Sequence, residues 1–541
     1  MKVENKKIIV GYEERKNENQ NDIKKWFINQ CGYDVDKSKR ATFTNGVRGL
    51  KFYIKRVSDD LVVYEGTIYN QIADFTRFNE TGEYYLECLG VKSYSFKIEN
   101  ERLFNISIKP ALKFMEMARQ DAFDIGGNSG YAWRDSHQFS FELNSLVMLY
   151  LSNPIYFENL PRDIYKVNEC EYPELRVQNE PNLIWLIKFG VLRYYKLATE
   201  QNVRLHAFIK GQLAYFLYLY PHISDYIEKE FYETIRDFTI QKWAESTCNK
   251  SWYEETTNHN LFATENKVGT VKGANPPGYS IVPNLMMYEV LKRDGIEGYQ
   301  QYFDSAFNTC KWIVDSVDLD DPANTKGQRM NEYITSTSLT YFYEKYPNTC
   351  PIGLDKKIER LGDILISRSN NLWDYRQYRT KGDLSGATYT TWVNDYTGTG
   401  GLGNQPGNIA GMCGVLLSIS RVITDVSKKE RLKKLAISNL DHVYGRNPTG
   451  MHFCQTAVTE FDDANLGWGK RYQGGLGNLQ YCVGVLDGSP KESSYPFDPS
   501  ADLGYTEGWV SFNSAWNMSL AYLSGENKNI NGLDIFLKTN P

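Results

Sequence analysis

The 541-residue sequence predicts a small β-sandwich followed by an all-α barrel of six helical hairpins, (α/α)6. Three observations carry this. Short β-branched and aromatic runs, bounded by Gly, Asn and Asp, fill residues 24–100. Near residue 103 the apolar spacing changes from alternation to threes and fours. About a dozen long helical patterns then follow, the number that six closed hairpins need.

The expected strands are Trp26-Phe27-Ile28, Leu50–Ile54, Leu61–Tyr64, Glu83–Leu86 and Tyr94–Ile98, at sandwich spacing. The expected helices cover 103–120, 139–151, 182–198, 203–219, 224–246, 281–293, 299–316, 330–345, 354–369, 407–424, 427–443 and 508–523. In the third of these, Leu183, Leu186, Ile187, Val191 and Tyr194 form one apolar stripe. The expected division is an extension over 1–22, the sandwich over 23–101 and the barrel over 102–541. Four long connections, 121–138, 247–280, 371–406 and 445–506, are rich in Gly, Asn and aromatics. Long connections inside a compact domain are usually functional, and these are expected to form a cleft.

A net charge of −5 without basic runs argues against nucleic acid as a partner. No stretch is long and apolar enough to span a membrane. The nine Cys are scattered, with no C-x-x-C pair, so free thiols are expected rather than a zinc site or a disulfide framework. No metal ligand set is expected. The N-terminus Met1–Lys7 has no apolar core, so the chain as it stands is expected to be cytoplasmic, or secreted if a leader has been removed. Aromatics make up 14% of the chain, 39 of them Tyr, which leans toward cleft-lining surfaces and carbohydrate.

Candidate chemistry gathers in two places. Glu507 lies in Tyr505-Thr506-Glu507-Gly508-Trp509-Val510-Ser511-Phe512-Asn513. Aromatic surroundings desolvate a carboxyl and raise its pKa, as a general acid needs near neutral pH. The plainer reading is a Glu at a helix start, favoured by the helix dipole. Asp135 sits beside Trp133, Arg134 and His137, just ahead of a helical pattern. There it can stay ionised and activate water, or simply cap the helix. Two such carboxylates meet the need of glycoside hydrolysis, inverting at roughly 6.5–9.5 Å separation and retaining at about 5 Å. Asn258 and His259, with a nearby Tyr, offer a different chemistry, a polysaccharide lyase acting on a uronate.

Three stretches resemble glycoside hydrolase family 9, the inverting cellulase-type family. Phe27–Tyr33, Ala73-Asp74-Phe75, Gly82–Leu86 and Tyr94–Ile98 are similar to its N-terminal immunoglobulin-like domain. Tyr444-Gly445-Arg446-Asn447-Pro448-Thr449-Gly450 is similar to its G-R-N-P-x-G motif. Gly484–Pro490, then Glu507 and Phe512-Asn513, resemble its ending. The resemblance implies Glu507 as general acid and Asp135 as general base. Thr506 replaces the family's usual Asn, and Ala132 stands where a companion Asp belongs. Asp121-Ala122-Phe123-Asp124 keeps the base motif's letters farther upstream, which makes Asp124 the alternative base. The family's His-rich segment is missing from Asn465–Tyr472, so ordinary cellulose is not the expected substrate.

The expected function is therefore an inverting glycosidase on a β-linked oligo- or polysaccharide. Trp133, His137, Trp468, Tyr472, Tyr505 and Trp509 would form its sugar platform. Arg134 and Arg446 either bind substrate or hold loops, and Arg446 is expected to hold loops. No cofactor is expected. Calcium is compatible with the family, although no dense acidic loop asks for it. The rival readings are the lyase and a carbohydrate-binding relative without catalysis. The oligomeric state is open.

Overall fold

The computed structural model describes residues 25–44, 48–124, 142–162, 177–247, 258–265, 275–321, 324, 332–376, 406–447, 476, 478–479, 505–507 and 510–527. Nine short strands build the N-terminal domain: β1 (Trp26–Phe27), β2 (Tyr33–Asp34), β3 (Arg40–Phe43), β4 (Lys51–Arg56), β5 (Val62–Tyr69), β6 (Ile72–Asp74), β7 (Gly82–Cys88), β8 (Val91–Lys92) and β9 (Phe96–Glu99). They run in the order β1-β3-β6-β5-β4-β7-β9-β2, with β8 on β7. β5 serves both layers: its first residues pair with β4, and Ile68–Tyr69 pair with β6. Alternation supplies the core. Phe52, Ile54, Tyr84, Leu86, Phe96 and Ile98 point inward among Trp26, Tyr33 and Phe75. The short strands β2, β3, β6 and β8 are not visible as separate runs in the sequence, because two to four residues carry too little period.

The helical domain holds α1 (Arg102–Asp124), α2 (Glu142–Ser152), α3 (Pro154–Asn159), α4 (Asn182–Thr199), α5 (Ala207–Leu219), α6 (Lys229–Lys242), α7 (Ile281–Arg293), α8 (Gln300–Ser316), α9 (Tyr333–Lys345), α10 (Leu354–Arg368), α11 (Pro406–Val422), α12 (Val426–Val443) and α13 (Val510–Asn527). Two kinds of helix alternate. In α5 every residue is buried, and in α11 all of Pro406–Ser420 are. In α8 only a stripe is buried, Tyr302, Ser305, Ala306, Thr309, Cys310 and Ile313. A helix buried all round belongs inside, and a striped one outside. Contacts follow that division: α2, α5, α7, α9, α11 and α13 each touch the next, and α13 returns to α2. The inner ring is closed, and α1, α4, α6, α8, α10 and α12 back it.

The tightest joint of the ring is α11 against α13. A Cβ added at Gly407 would lie 2.5 Å from the Phe512 Cβ and 2.7 Å from its carbonyl oxygen. Ser519 Oγ bridges the two helices, donating to Ala410 O at 2.7 Å and accepting from Gly414 N–H at 2.8 Å. Gly407→Ala is expected to destabilise the protein by about 3 kcal/mol, since the obstacle is backbone that cannot swing aside. A urea midpoint equal to that of wild type would contradict this.

The two domains share buried polar contacts. Asp34 of β2 accepts the N–H of Leu103 at 2.8 Å and so caps α1. Asn29 Nδ2 donates to Asp441 at 2.8 Å, and the Gln30 N–H to the Tyr444 carbonyl at 2.9 Å. Gly445, at φ +121, passes so close to Ile28 that a Cβ would stand 2.8 Å from its carbonyl oxygen. Arg446 is fully buried and donates to Thr42 Oγ1 and to the Leu372 and Trp373 carbonyls. Its role is the structural one. It ties the sheet domain, the Leu372–Asp374 segment and the end of α12 together.

Candidate functional site

In a ring of antiparallel hairpins, every connection from an outer to an inner helix leaves at the same end. Those connections include the long ones, between α1 and α2, α6 and α7, α10 and α11, and α12 and α13. The opposite connections are shorter on average, down to three residues between α11 and α12. The N-terminal ends of the inner helices are therefore where variable, function-bearing segments concentrate.

Glu507 closes β11 (Tyr505–Glu507), which pairs antiparallel with β10 (Asn478–Leu479), Asn478 opposite Glu507 and Leu479 opposite Tyr505. α13 begins three residues later. Asn513, in its first turn, accepts the Leu476 N–H at 2.8 Å and donates to the Leu476 carbonyl at 3.0 Å. That reciprocal pair fastens the chain just before β10 to the inner helix, and with it the ribbon that bears Glu507. The sequence offered Asn513 as part of a motif but gave no sign of this anchoring role. Asp124 is the last residue of α1. Asp135, Trp133, Arg134, His137, Trp468, Tyr472 and Trp509 lie outside the described residues.

Below this end, the barrel axis holds a cavity lined by Asn144, Gln212, Tyr215, Tyr279, Thr337 and Ser338 among others, with about 420 Å³ of empty space including its open part. Five inner helices contribute, and among the described residues no charged side chain lines it. Gln212 also accepts the Leu143 N–H at 2.8 Å, joining α5 to the head of α2.

Asn258 and His259 lie beside this cavity, at the heads of α5 and α7. Asn258 is exposed; its side chain accepts the Asn260 N–H at 3.0 Å, and its carbonyl accepts the Tyr279 hydroxyl at 3.2 Å. His259 is fully buried, its ring 4.4 Å from that of His206, and its Nδ1 accepts the Ala207 N–H at 3.2 Å. Buried Lys210 donates to the carbonyls of His259, Glu245 and Lys242, at 2.7, 2.8 and 3.1 Å. Burial, and then the Lys210 charge, push the His259 pKa down to about 3. His259, His206 and Lys210 form an enclosed clamp between α5 and α6, with no face among the described residues open to a uronate, and nothing in it supports a lyase.

A histidine held neutral takes up its proton only on unfolding, so stability falls as pH drops from 6.5 toward about 3. His259→Gln is expected to make acid unfolding shallower there by up to about 1.4 kcal/mol per pH unit. Urea titrations of both proteins at several pH values between 4 and 7 would read this, and parallel curves would contradict it.

Among the described residues no group of three or more His, Cys, Asp or Glu could hold a metal ion. Nor, among them, is any helix long and apolar enough to cross a membrane.

The family model of a cellulase N-terminal ig-like domain matches residues 22–93. No curated protein matches the chain in sequence. Solved structures match nearly all of it. A glycoside hydrolase family 9 protein of Bacteroides ovatus superposes on 93% of this chain and 99% of its own, with TM-score 0.58 and 13% identity. A metagenome-derived glycoside hydrolase family 9 endoglucanase covers 92% of this chain and 99% of its own, with TM-score 0.56 and 13% identity. AaCel9A, solved in complex with cellobiose-like isofagomine, covers 93% of this chain and 100% of its own, with TM-score 0.56 and 11% identity. At such identities the likeness establishes the fold: an immunoglobulin-like domain and an (α/α)6 barrel, arranged as in the family 9 endoglucanases.

Proposed function

We propose that this chain, built on the fold of the glycoside hydrolase family 9 endoglucanases, is a glycoside hydrolase that cleaves a neutral β-linked oligo- or polysaccharide with inversion. The closure of the inner ring carries the reading. α13, which follows the Glu507 strand directly, packs against α2, which follows the segment bearing Asp135. Segments more than 350 positions apart in the sequence thus lead into neighbouring helices at the end where the long connections gather.

In this reading protonated Glu507 gives its proton to the glycosidic oxygen as the bond to the anomeric carbon breaks. Asp135 takes a proton from a water that attacks that carbon from the opposite face. Glu507 ends ionised, Asp135 ends protonated, and the new hydroxyl has the inverted configuration. Among the described residues the lining of the axial cavity is uncharged, which supports a neutral glycan over a uronate. The solved relative with cellobiose-like isofagomine supports a β-glucan-like ligand.

Product analysis on a panel of β-glycans tests this. Fresh product followed by proton NMR is expected to appear as the opposite anomer. An unsaturated sugar would favour a lyase instead, and an intact glycan a binding protein. Asp135→Asn is expected to abolish turnover while Asp124→Asn spares it; the reverse outcome would move the base to Asp124.

A further inference from the structure

A run of ionic contacts, half-buried at Arg40 and Arg431 and fully buried at Glu332, leads from the sheet domain into the inner ring of the barrel. Arg40 on β3 gives its guanidinium to Asp374, which also receives Arg431 of α12 at 2.9 Å. Two residues on, Arg376 Nη2 lies 3.0 Å from one oxygen of Glu332, while Arg368 Nη1 lies 3.2 Å from the other. Glu332 is wholly buried and immediately precedes α9, and its carbonyl accepts both the N–H and the hydroxyl of Ser336, at 2.8 and 2.9 Å. The first turns of α9 then present Ile334, Thr337 and Ser338 to the axial cavity. The link between the two ion pairs is short and held on both sides. Tyr375 stacks on His442 at 4.0 Å, and the Arg376 N–H donates to Asn439 at 3.1 Å.

We infer that Arg40 is a positioning residue, through which the sheet domain sets where the head of α9 stands against the axial cavity. The physical ground is that a buried charge stripped of one partner cannot stay as it was. Without Arg40, Asp374 shifts toward Arg431 and Arg446, the Asp374–Arg376 segment moves with it, and Glu332 loses the registry of one of its two arginines. The consequence for turnover rests on the hydrolase reading above; the mechanical linkage does not.

Hydrogen exchange of the full chain, read by mass spectrometry, decides it. Arg40→Met is expected to speed exchange of the 333–338 amides about tenfold, within the range by which mutations along a coupled network act. Arg40→Lys, which keeps a cation there, is expected to restore most of the protection, and it carries the same readout should Arg40→Met not fold. Arg102→Met removes a different bond between the domains, Arg102 Nε to the Cys31 carbonyl at 2.8 Å, and is expected to leave 333–338 unchanged. If Arg40→Met leaves those amides as slow as in wild type, or Arg102→Met speeds them equally, the proposal is overturned. On a glycan that wild type hydrolyses, kcat is expected to fall several-fold in Arg40→Met and to recover in Arg40→Lys. A wild-type chain that hydrolyses nothing would sink the hydrolase reading alone, since the exchange result stands apart from it.

Discussion

Glu507→Gln is expected to lower turnover on a natural glycan by about 10²- to 10⁴-fold, the usual worth of a positioned general acid. Gln has nearly the shape of Glu and cannot supply the proton that the departing sugar oxygen needs. The fold should not suffer. β11 pairs with β10 through backbone groups, and Asn513 anchors Leu476 whatever stands at 507. The unfolding midpoint of the variant should therefore match that of wild type. An aryl glycoside with a nitrophenolate leaving group adds a sharper criterion. Such a group departs without protonation, so the same substitution should cost far less on it. Equal losses on both substrates would point to a binding or structural role for Glu507, and full activity on the natural glycan would remove it from the chemistry.

The second large effect is expected at Asp374. Burial works against ionisation of this carboxyl, and Arg40, Arg446 and Arg431 together outweigh it, holding its pKa below the usual carboxylate range. Asp374→Ala leaves three arginines facing one another, Arg446 among them with no access to water. Removing one partner of a buried ionic cluster costs about 3–5 kcal/mol. That is a large part of the 5–15 kcal/mol, roughly, that holds a domain together. Phe27 packs edge-on against Trp373 at 5.4 Å beside this cluster, so the loss should weaken both domains at once. Urea unfolding followed by fluorescence and by circular dichroism would measure it. An unchanged midpoint would mean that water already compensates the arginines.

Much of the architecture is legible in the residues because its causes are local. The all-round apolar composition of Ala207–Leu219 and the stripe on Gln300–Ser316 distinguish an inner from an outer helix within one window. The turn residues between Lys51 and Cys88 delimit strands in the same way. The Glu507 segment carries a local argument too, as a carboxylate among aromatics at the head of an apolar helix, and the acid role stays a proposal. The proposed base is less clearly marked. Asp135 is preferred for its place just ahead of a helical pattern and Asp124 keeps only the motif's letters farther upstream, and local pattern has no means of telling which carboxyl faces Glu507. His259 shows the limit from the other side. In the sequence it is an Asn-His pair in a polar loop, open to a catalytic reading; in the fold it is sealed against His206 and Lys210.

Sequence by itself determined the kinds of element and their order, and set the expectation that the long connections hold the site. Periodicity and turn chemistry act over a few residues, so a linear reading can recover them. Only the tertiary structure decided which elements meet. It closed α13 onto α2, assigned Arg446 to the domain joint, and brought Asn29 to Asp441 and Arg40 to Asp374 across separations of 412 and 334 residues. Such pairings depend on how the whole chain closes, and no local period records them.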